Sequence, residues 1–217
     1  MIKAVVFDLD GTILDLKLKF REAKKRFLKL LEENGVEISE ISLDTPTEMI
    51  MKRVKDKPRS WLMKLVDEAF LPYELEAAEE AELREGVEEV LRRLREEGYR
   101  LGIASNNGRI GVRKALEKVG IIRLFDVIVT RNDVDSMKPS GKIIQRAIEL
   151  LGVKPWEMAY VGDTYNDVKA ARNAGAKTIA ILGGAHPAER IQEAEPDAVL
   201  DDFRKLPETL KLLDGET

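Results

Sequence analysis

The sequence predicts an α/β protein: a doubly wound, mostly parallel Rossmann-like sheet with an all-helical domain inserted near its start. Three observations carry this. Short apolar, β-branched runs recur along the chain, the pattern of strands buried on both faces. Helical patterns that stop on glycine separate most of them, the rhythm of βα units with right-handed crossovers. Residues 15–83 hold helical patterns and no clear strand.

Taken in order, Ala4–Phe7 reads as the first strand. Further strands are expected over Arg100–Ser105, Phe125–Thr130, Glu157–Gly162, Lys177–Leu182 and, briefly, Ala198–Leu200. Between them, Val87, Val90, Leu91 and Leu94 share one helical face, followed by Gly98. Val112, Ala115, Leu116 and Val119 repeat that spacing before Gly120. Ile143, Ile144, Ala147, Ile148 and Leu151 do so before Gly152, and Val168, Ala171 and Ala174 before Gly175. In the insert, Phe20, Ala23, Phe27, Leu30 and Leu31 mark an amphipathic helix. Thr45-Pro46-Thr47-Glu48 predicts a capping box that opens a second. Trp61, Leu62, Leu65, Val66 and Ala69 mark a third, and Leu75 to Leu83 a fourth. The expected division is a core of residues 1–14 and 84–217 and a helical domain of residues 15–83. Such an insertion leaves the first strand free to join the later sheet, because long loops are entropically cheap. The C-terminal stretch from Asp214 is expected to fray.

Composition narrows the function classes. Of 217 residues, 44% are hydrophobic, enough for a sizeable core, and 35% are charged, above the usual quarter or so. The net charge of −4 and the lack of a Lys/Arg block argue against a nucleic-acid binder. No cysteine is present, which excludes disulfides, thiolate metal sites and a cysteine nucleophile. No apolar run approaches the roughly 20 residues of a membrane span, and no leader-like segment precedes the first strand. A soluble cytoplasmic protein, monomer or homodimer, is expected. Dense mixed charge without cysteine fits heat adaptation, a reading that fails if the protein melts at roughly 45–65 °C.

In open α/β sheets ligands gather at the carboxyl ends of the strands. The first strand ends in Asp8 and Asp10, the second in Ser105-Asn106, the fourth in Gly162-Asp163 with Asp167 close behind, and Lys138-Pro139 lies between the third and fourth. A parallel sheet brings these acids, a hydroxyl, an amide and a lysine to one rim. Asp8, Asp10 and Asp163 suit a hard cation such as Mg²⁺, which also relieves the repulsion between like charges. Lys138 supplies positive charge to an anion, and Ser105 with the N–H groups after it can donate to phosphate oxygens. One carboxylate can attack phosphorus while another serves as general acid and then base.

Asp8-Leu-Asp10-Gly-Thr12, Ser105-Asn106, Lys138-Pro139 and Gly162-Asp163-x-x-x-Asp167 resemble, in order and approximate spacing, the four motifs of the haloacid-dehalogenase-like hydrolases. The resemblance covers the α/β part, including Gly86, Ala174-Gly175 and Gly183-Gly184; Glu85-Gly86 departs from the Pro-Gly common in such relatives. It implies a helical cap in place of the insert; the stretch between Ser105 and Lys138 is too short for the larger cap of other relatives. It implies Asp8 as nucleophile, Asp10 as general acid/base and Lys138 as charge stabiliser. Ser105, with Asn106 beside it, would bind the phosphoryl group. Mg²⁺ would lie on Asp8, Asp163 and the backbone carbonyl of Asp10, with Asp167 supporting the metal directly, through water or through Lys138. The acid at position 10 favours phosphate-ester hydrolysis or phosphoryl shift. A phosphatase for a small phosphorylated metabolite is expected, phosphoglycolate phosphatase-like; the alternative is a β-phosphoglucomutase-like mutase.

Plainer readings compete residue by residue. Thr12 either closes the turn or touches phosphate, and Asp167 equally fits a helix cap. Lys142 is expected on a solvated helix face, His186 on the surface, and Gly183-Gly184 in a tight turn. Trp61 and Tyr73 are expected to pack rather than line a pocket. A non-catalytic binding protein on this fold would be expected to lack some of the acids, and a receiver domain would lack the helical insert.

Overall fold

The computed structural model describes residues 1–39 and 41–215. Six parallel strands form the central sheet: β1 (Ala4–Phe7), β4 (Arg100–Ser105), β5 (Val127–Thr130), β6 (Met158–Gly162), β7 (Lys177–Ile181) and β8 (Ala198–Leu200), in the order β5-β4-β1-β6-β7-β8. Every residue of β1 is buried, as its unbroken apolar sequence requires of a central strand. It pairs with β4 on one side and β6 on the other, Phe7 lying opposite both Ile103 and Val161. The chain reverses its direction of winding at β1, so the crevice at its C-terminal end is the switch point of the sheet.

Helices cover both faces. They are α4 (Val87–Glu96), α5 (Arg109–Lys118), α6 (Lys142–Leu151), α7 (Tyr165–Ala174), the short α8 (Ala188–Gln192) and α9 (Leu206–Leu213). The periodic residues behave as their spacing demands. Val87, Val90, Leu91 and Leu94 bury against the Val5 and Phe7 face, and Ile143, Ile144, Ala147 and Ile148 against the Ala4 and Val6 face. No helix is long and apolar enough to cross a membrane, among the described residues.

Between β1 and α4 the chain makes α1 (Phe20–Glu33), α2 (Thr47–Arg53) and α3 (Arg59–Glu79). These helices pack around their own apolar cluster of Phe27, Leu31, Ile50, Leu62 and Val66, which also takes in Met137 from the core. The insert is not purely helical. Leu14–Asp15 (β2) and Glu82–Leu83 (β3) pair as a two-stranded antiparallel ribbon where the chain leaves and re-enters the core, so the fourth helix expected to reach Leu83 stops short. The third and fourth helices are in fact one, continuous through Pro72. An interior proline costs about 3 kcal/mol; packing of α3 along both α1 and α5 outweighs it.

The expected capping box is also absent. Pro46 stands at the N-cap of α2 without a side-chain cap bond. Glu48 instead accepts from the Ser136 hydroxyl at 2.8 Å and the Met137 N–H at 3.0 Å, and pairs with Arg59. Buried donors on the core loop and a guanidinium win over a local backbone N–H. Asp214 does not fray: its carboxylate accepts the Ile2 N–H at 2.7 and 2.9 Å. The last two residues of that expectation lie outside the described residues.

Candidate active site

Asp8 follows directly on β1, and its N–H continues the ladder to Val161 O at 2.9 Å. That fixes the carboxylate at the strand end. Lys138 reaches it from the loop before α6, donating at 2.6 Å to Asp8 Oδ1 and at 2.6 Å to Asp167 Oδ1. The third partner of the ammonium is the Tyr160 hydroxyl on β6, at 2.9 Å, which itself donates to Ala104 O at 2.8 Å. An ammonium has three donors, so Lys138 is saturated and its orientation fixed.

Asn106 holds the lysine's backbone at both ends. Its Oδ1 accepts the Lys138 N–H at 2.9 Å and its Nδ2 donates to Lys138 O at 3.3 Å. The amide expected beside phosphate therefore positions Lys138. Ser105 Oγ accepts the Asn107 N–H at 3.2 Å, which leaves its own hydrogen to donate into the cavity it lines.

Asp163 lies at the end of β6, fully buried. Its Oδ1 accepts from the Thr12 hydroxyl at 3.1 Å and its Oδ2 from the Ala185 N–H at 2.6 Å. Thr12 is thus committed to Asp163. The carboxylate sits between two glycines: a Cβ on Gly11, whose φ is +77°, or on Gly184 would collide with Oδ2. The Gly183-Gly184 turn is therefore set by room for this carboxylate as well as by its backbone.

Asp167 meets both of its readings. Oδ2 accepts the Thr164 N–H at 3.0 Å in a capping box at the start of α7, while Oδ1 meets Lys138. Asp10 takes a different direction. Its Oδ1 accepts the Leu16 N–H at 3.1 Å, tying it to the stem of the insert.

Asp8, Asp163 and Asp167 each offer an oxygen within 4.8 Å of the others. The Asp10 carboxylate is not in that group, so any part for Asp10 in holding an ion falls to its backbone carbonyl. Three carboxylates face a single ammonium, leaving two negative charges without a counter-charge. Burial pushes the Asp8 carboxyl up to about 8, against the pull of Lys138, and the Asp163 carboxyl up to about 6, with Asp167 adding to the rise. Burial also raises Asp10. Hard oxygen donors, buried and short of positive charge by two, fit a divalent cation site.

These groups open on a cavity of about 580 Å³ between sheet and insert, lined by Asp8, Asp10, Ser105 and Lys138 from below and by Phe20, Lys24, Thr47 and Phe70 from above. A larger hollow behind the ribbon β2–β3 has Asp10 as its only link to the acids named above. Sequence reasoning missed Tyr160, Arg131 and Glu74. Tyr160 was readable only as a strand residue. Arg131 is 1% exposed and grips Glu74 of α3, with its Nε donating at 2.8 Å to Asp67 Oδ1 and its Nη1 at 3.2 Å to Asn106 O. His186, expected on the surface, is half-buried on the cavity wall, its Nδ1 accepting the Tyr165 N–H at 3.1 Å. Trp61 and Tyr73 pack on the insert's apolar cluster, and Lys142 is exposed.

The family model for haloacid dehalogenase-like hydrolase matches residues 5–181. The chain is 33% identical over 205 residues, 93% of its own length and 94% of the relative's, to the "Putative pyrophosphatase PpaX" of Clostridium perfringens. Among solved structures, a "predicted phosphatase" from Clostridium acetobutylicum superposes with a TM-score of 0.74 at 20% identity, over 97% of this chain and 98% of that one. A "predicted phosphoglycolate phosphatase" from Haemophilus somnus does so with 0.69 at 22%, over 96% and 98%. At these identities the two structures speak for the fold.

Proposed function

Because the chain belongs to the haloacid dehalogenase-like hydrolase family, we propose that it is a Mg²⁺-dependent phosphatase acting on a small phosphate monoester through an aspartyl-phosphate on Asp8. The observation that carries this is the convergence of Asp8, Asp163, Asp167 and Lys138 at the switch point of the sheet. Asp8 and Asp163, with Asp167 beside them, would hold the ion. Bound there, Mg²⁺ neutralises carboxylates that otherwise retain protons and attracts phosphate oxygens.

An Asp8 oxygen attacks phosphorus, forming one P–O bond as the bond to the leaving alcohol breaks. Asp10 gives that alcohol its proton; burial raises its carboxyl, which favours the protonated form. Asp10 then takes a proton from water, whose oxygen attacks the phosphoaspartate and frees Asp8 and inorganic phosphate. Lys138 offsets charge on Asp8 throughout, and Ser105 donates to the transferring group. The insert limits water at the intermediate, as a helical cap would.

The named relative makes inorganic pyrophosphate a first substrate to try, and phosphoglycolate a second. The test is phosphate release from p-nitrophenyl phosphate with Mg²⁺, with chelator, and with Asp8→Asn. Activity is expected only for the unsubstituted protein with Mg²⁺; survival after Asp8→Asn overturns the covalent route. Isomerisation of a sugar phosphate without phosphate release would instead identify a mutase.

A further inference from the structure

Five basic side chains line the cavity above Asp8: Lys24, Arg131, Lys138, His186 and Arg190. Arg131 is neutralised by Glu74 and Asp67, and Lys138 by Asp8 and Asp167. Burial pushes the His186 pKa down, and its Nδ1 already accepts a backbone N–H. Arg190 is exposed and lies over the Tyr165 ring.

Lys24 is the exception. It is 4% exposed, yet its ammonium has no carboxylate within ion-pair distance among the described residues. It donates to the carbonyls of Leu43 at 2.7 Å and Thr45 at 3.0 Å and lies 4.7 Å from the Phe20 ring centroid. Two of its three donors are occupied. Asp44, the acid whose charge acts on Lys24, forms its ion pair with Arg21. Burial lowers the Lys24 pKa, and Asp44 only partly opposes it, the mark of a buried cation short of a counter-charge. Thr47 supplies a second, independent observation. It lines the same cavity, and its buried hydroxyl has no hydrogen-bond partner among the described residues. Unsatisfied buried groups of this kind are uncommon in folded proteins.

We propose that Lys24, with Thr47, receives a second anionic group of the substrate, a carboxylate or a further phosphate, while the transferring phosphoryl group lies at Asp8. This rests on the phosphatase reading above. Leu18, Val66 and Phe70 also line this cavity.

The experiment compares kcat/KM for three phosphate monoesters: 2-hydroxyethyl phosphate, whose far end is neutral, 2-phosphoglycolate, whose far end is a carboxylate, and ethylene glycol bisphosphate, whose far end is a phosphate. In the unsubstituted enzyme at least one anionic substrate is expected to exceed the neutral one by about tenfold or more, the size of a hydrogen bond to a charged group. The substrate that does so names the anion. Lys24→Met is expected to bring that ratio towards one, and Lys24→Arg to retain part of it. Each ratio is taken within one enzyme sample, so a loss of folded protein cancels. A ratio near one in the unsubstituted enzyme, or a ratio that survives Lys24→Met, overturns the subsite and leaves Lys24 as a fastener of the turn at Leu43 and Thr45. If none of the three esters nor p-nitrophenyl phosphate is hydrolysed, the phosphatase reading itself falls, and the subsite with it.

Discussion

Two clusters of buried charge lie on either side of Asn106, and they differ in balance. At the junction of α3 with the core the buried Arg131 faces the buried Glu74, one charge against one; Asp67, which it also reaches, is open to solvent. Asp8, Asp163 and Asp167 share one lysine. Asn106 touches both, giving its carbonyl to Arg131 and its side chain to the backbone of Lys138. The balanced cluster holds the insert to the core. The unbalanced one, on the proposed function, would take a cation and an anionic substrate. Buried charge is thus a sign of function where its sum is far from zero, and of architecture where it is near zero.

The largest expected effect separates the clusters by activity. On the proposed mechanism Asp8→Asn should lower kcat by about 10⁴-fold or more, as loss of a nucleophile does, with no fall in melting temperature, because Lys138 keeps Asp167 as its partner and the crowding of acids is lessened. A clear drop in melting temperature would show that the acids stabilise the fold and would erase the distinction. Next, Arg131→Met leaves Glu74 buried and unpaired and should cost about 3–5 kcal/mol in denaturant unfolding. Adding Glu74→Leu should recover part of it. A single variant as stable as the parent would break the view of this pair as a clamp.

A third test uses pH. In the ion-free fold the Asp8 and Asp163 carboxyls, about 8 and about 6, bind protons more tightly than the unfolded chain, whose value is 3.8. Their contribution to stability is complete below that unfolded value and falls as pH rises through about 6 and about 8. On the proposed function Mg²⁺ would take ionised carboxylates and reverse the loss. The gain in melting temperature on adding Mg²⁺ should therefore be larger at about pH 8 than at about pH 5. An equal gain at both would show that the ion does not compete with these protons. The smallest effect sharpens the site. Thr12→Val removes the hydroxyl held by Asp163 and should weaken Mg²⁺ affinity by about 10-fold, read by titrating activity against Mg²⁺. A rise in substrate KM at saturating Mg²⁺ would instead return Thr12 to the phosphate.

Much of this was legible along the chain. The central strands announce themselves by unbroken apolar sequence, the helices by spacing, and the acids by their place at strand ends. What misled was local chemistry outbid by distant partners. Pro72 falls between the third and fourth expected helices, but α3 runs on through it, packed against α1 and α5. Glu48 reads as a capping residue, but Ser136, Met137 and Arg59 claim it. Asn106 reads as a phosphate ligand, but the backbone of Lys138 engages both ends of its amide. Arg131 reads as one of many surface arginines until α3 folds over it.

The sequence by itself determined the run of strands and helices in the core and the set of acids and lysine at the strand ends. Periodicity and glycine placement are local, and parallel pairing follows from them. Only the tertiary structure decided which charges are balanced, that the Thr12 hydroxyl meets Asp163, and that Lys24 stands buried with no ion-pair partner among the described residues. Those facts depend on side chains far apart in the chain excluding water together, and the strength of a charge is set by what surrounds it.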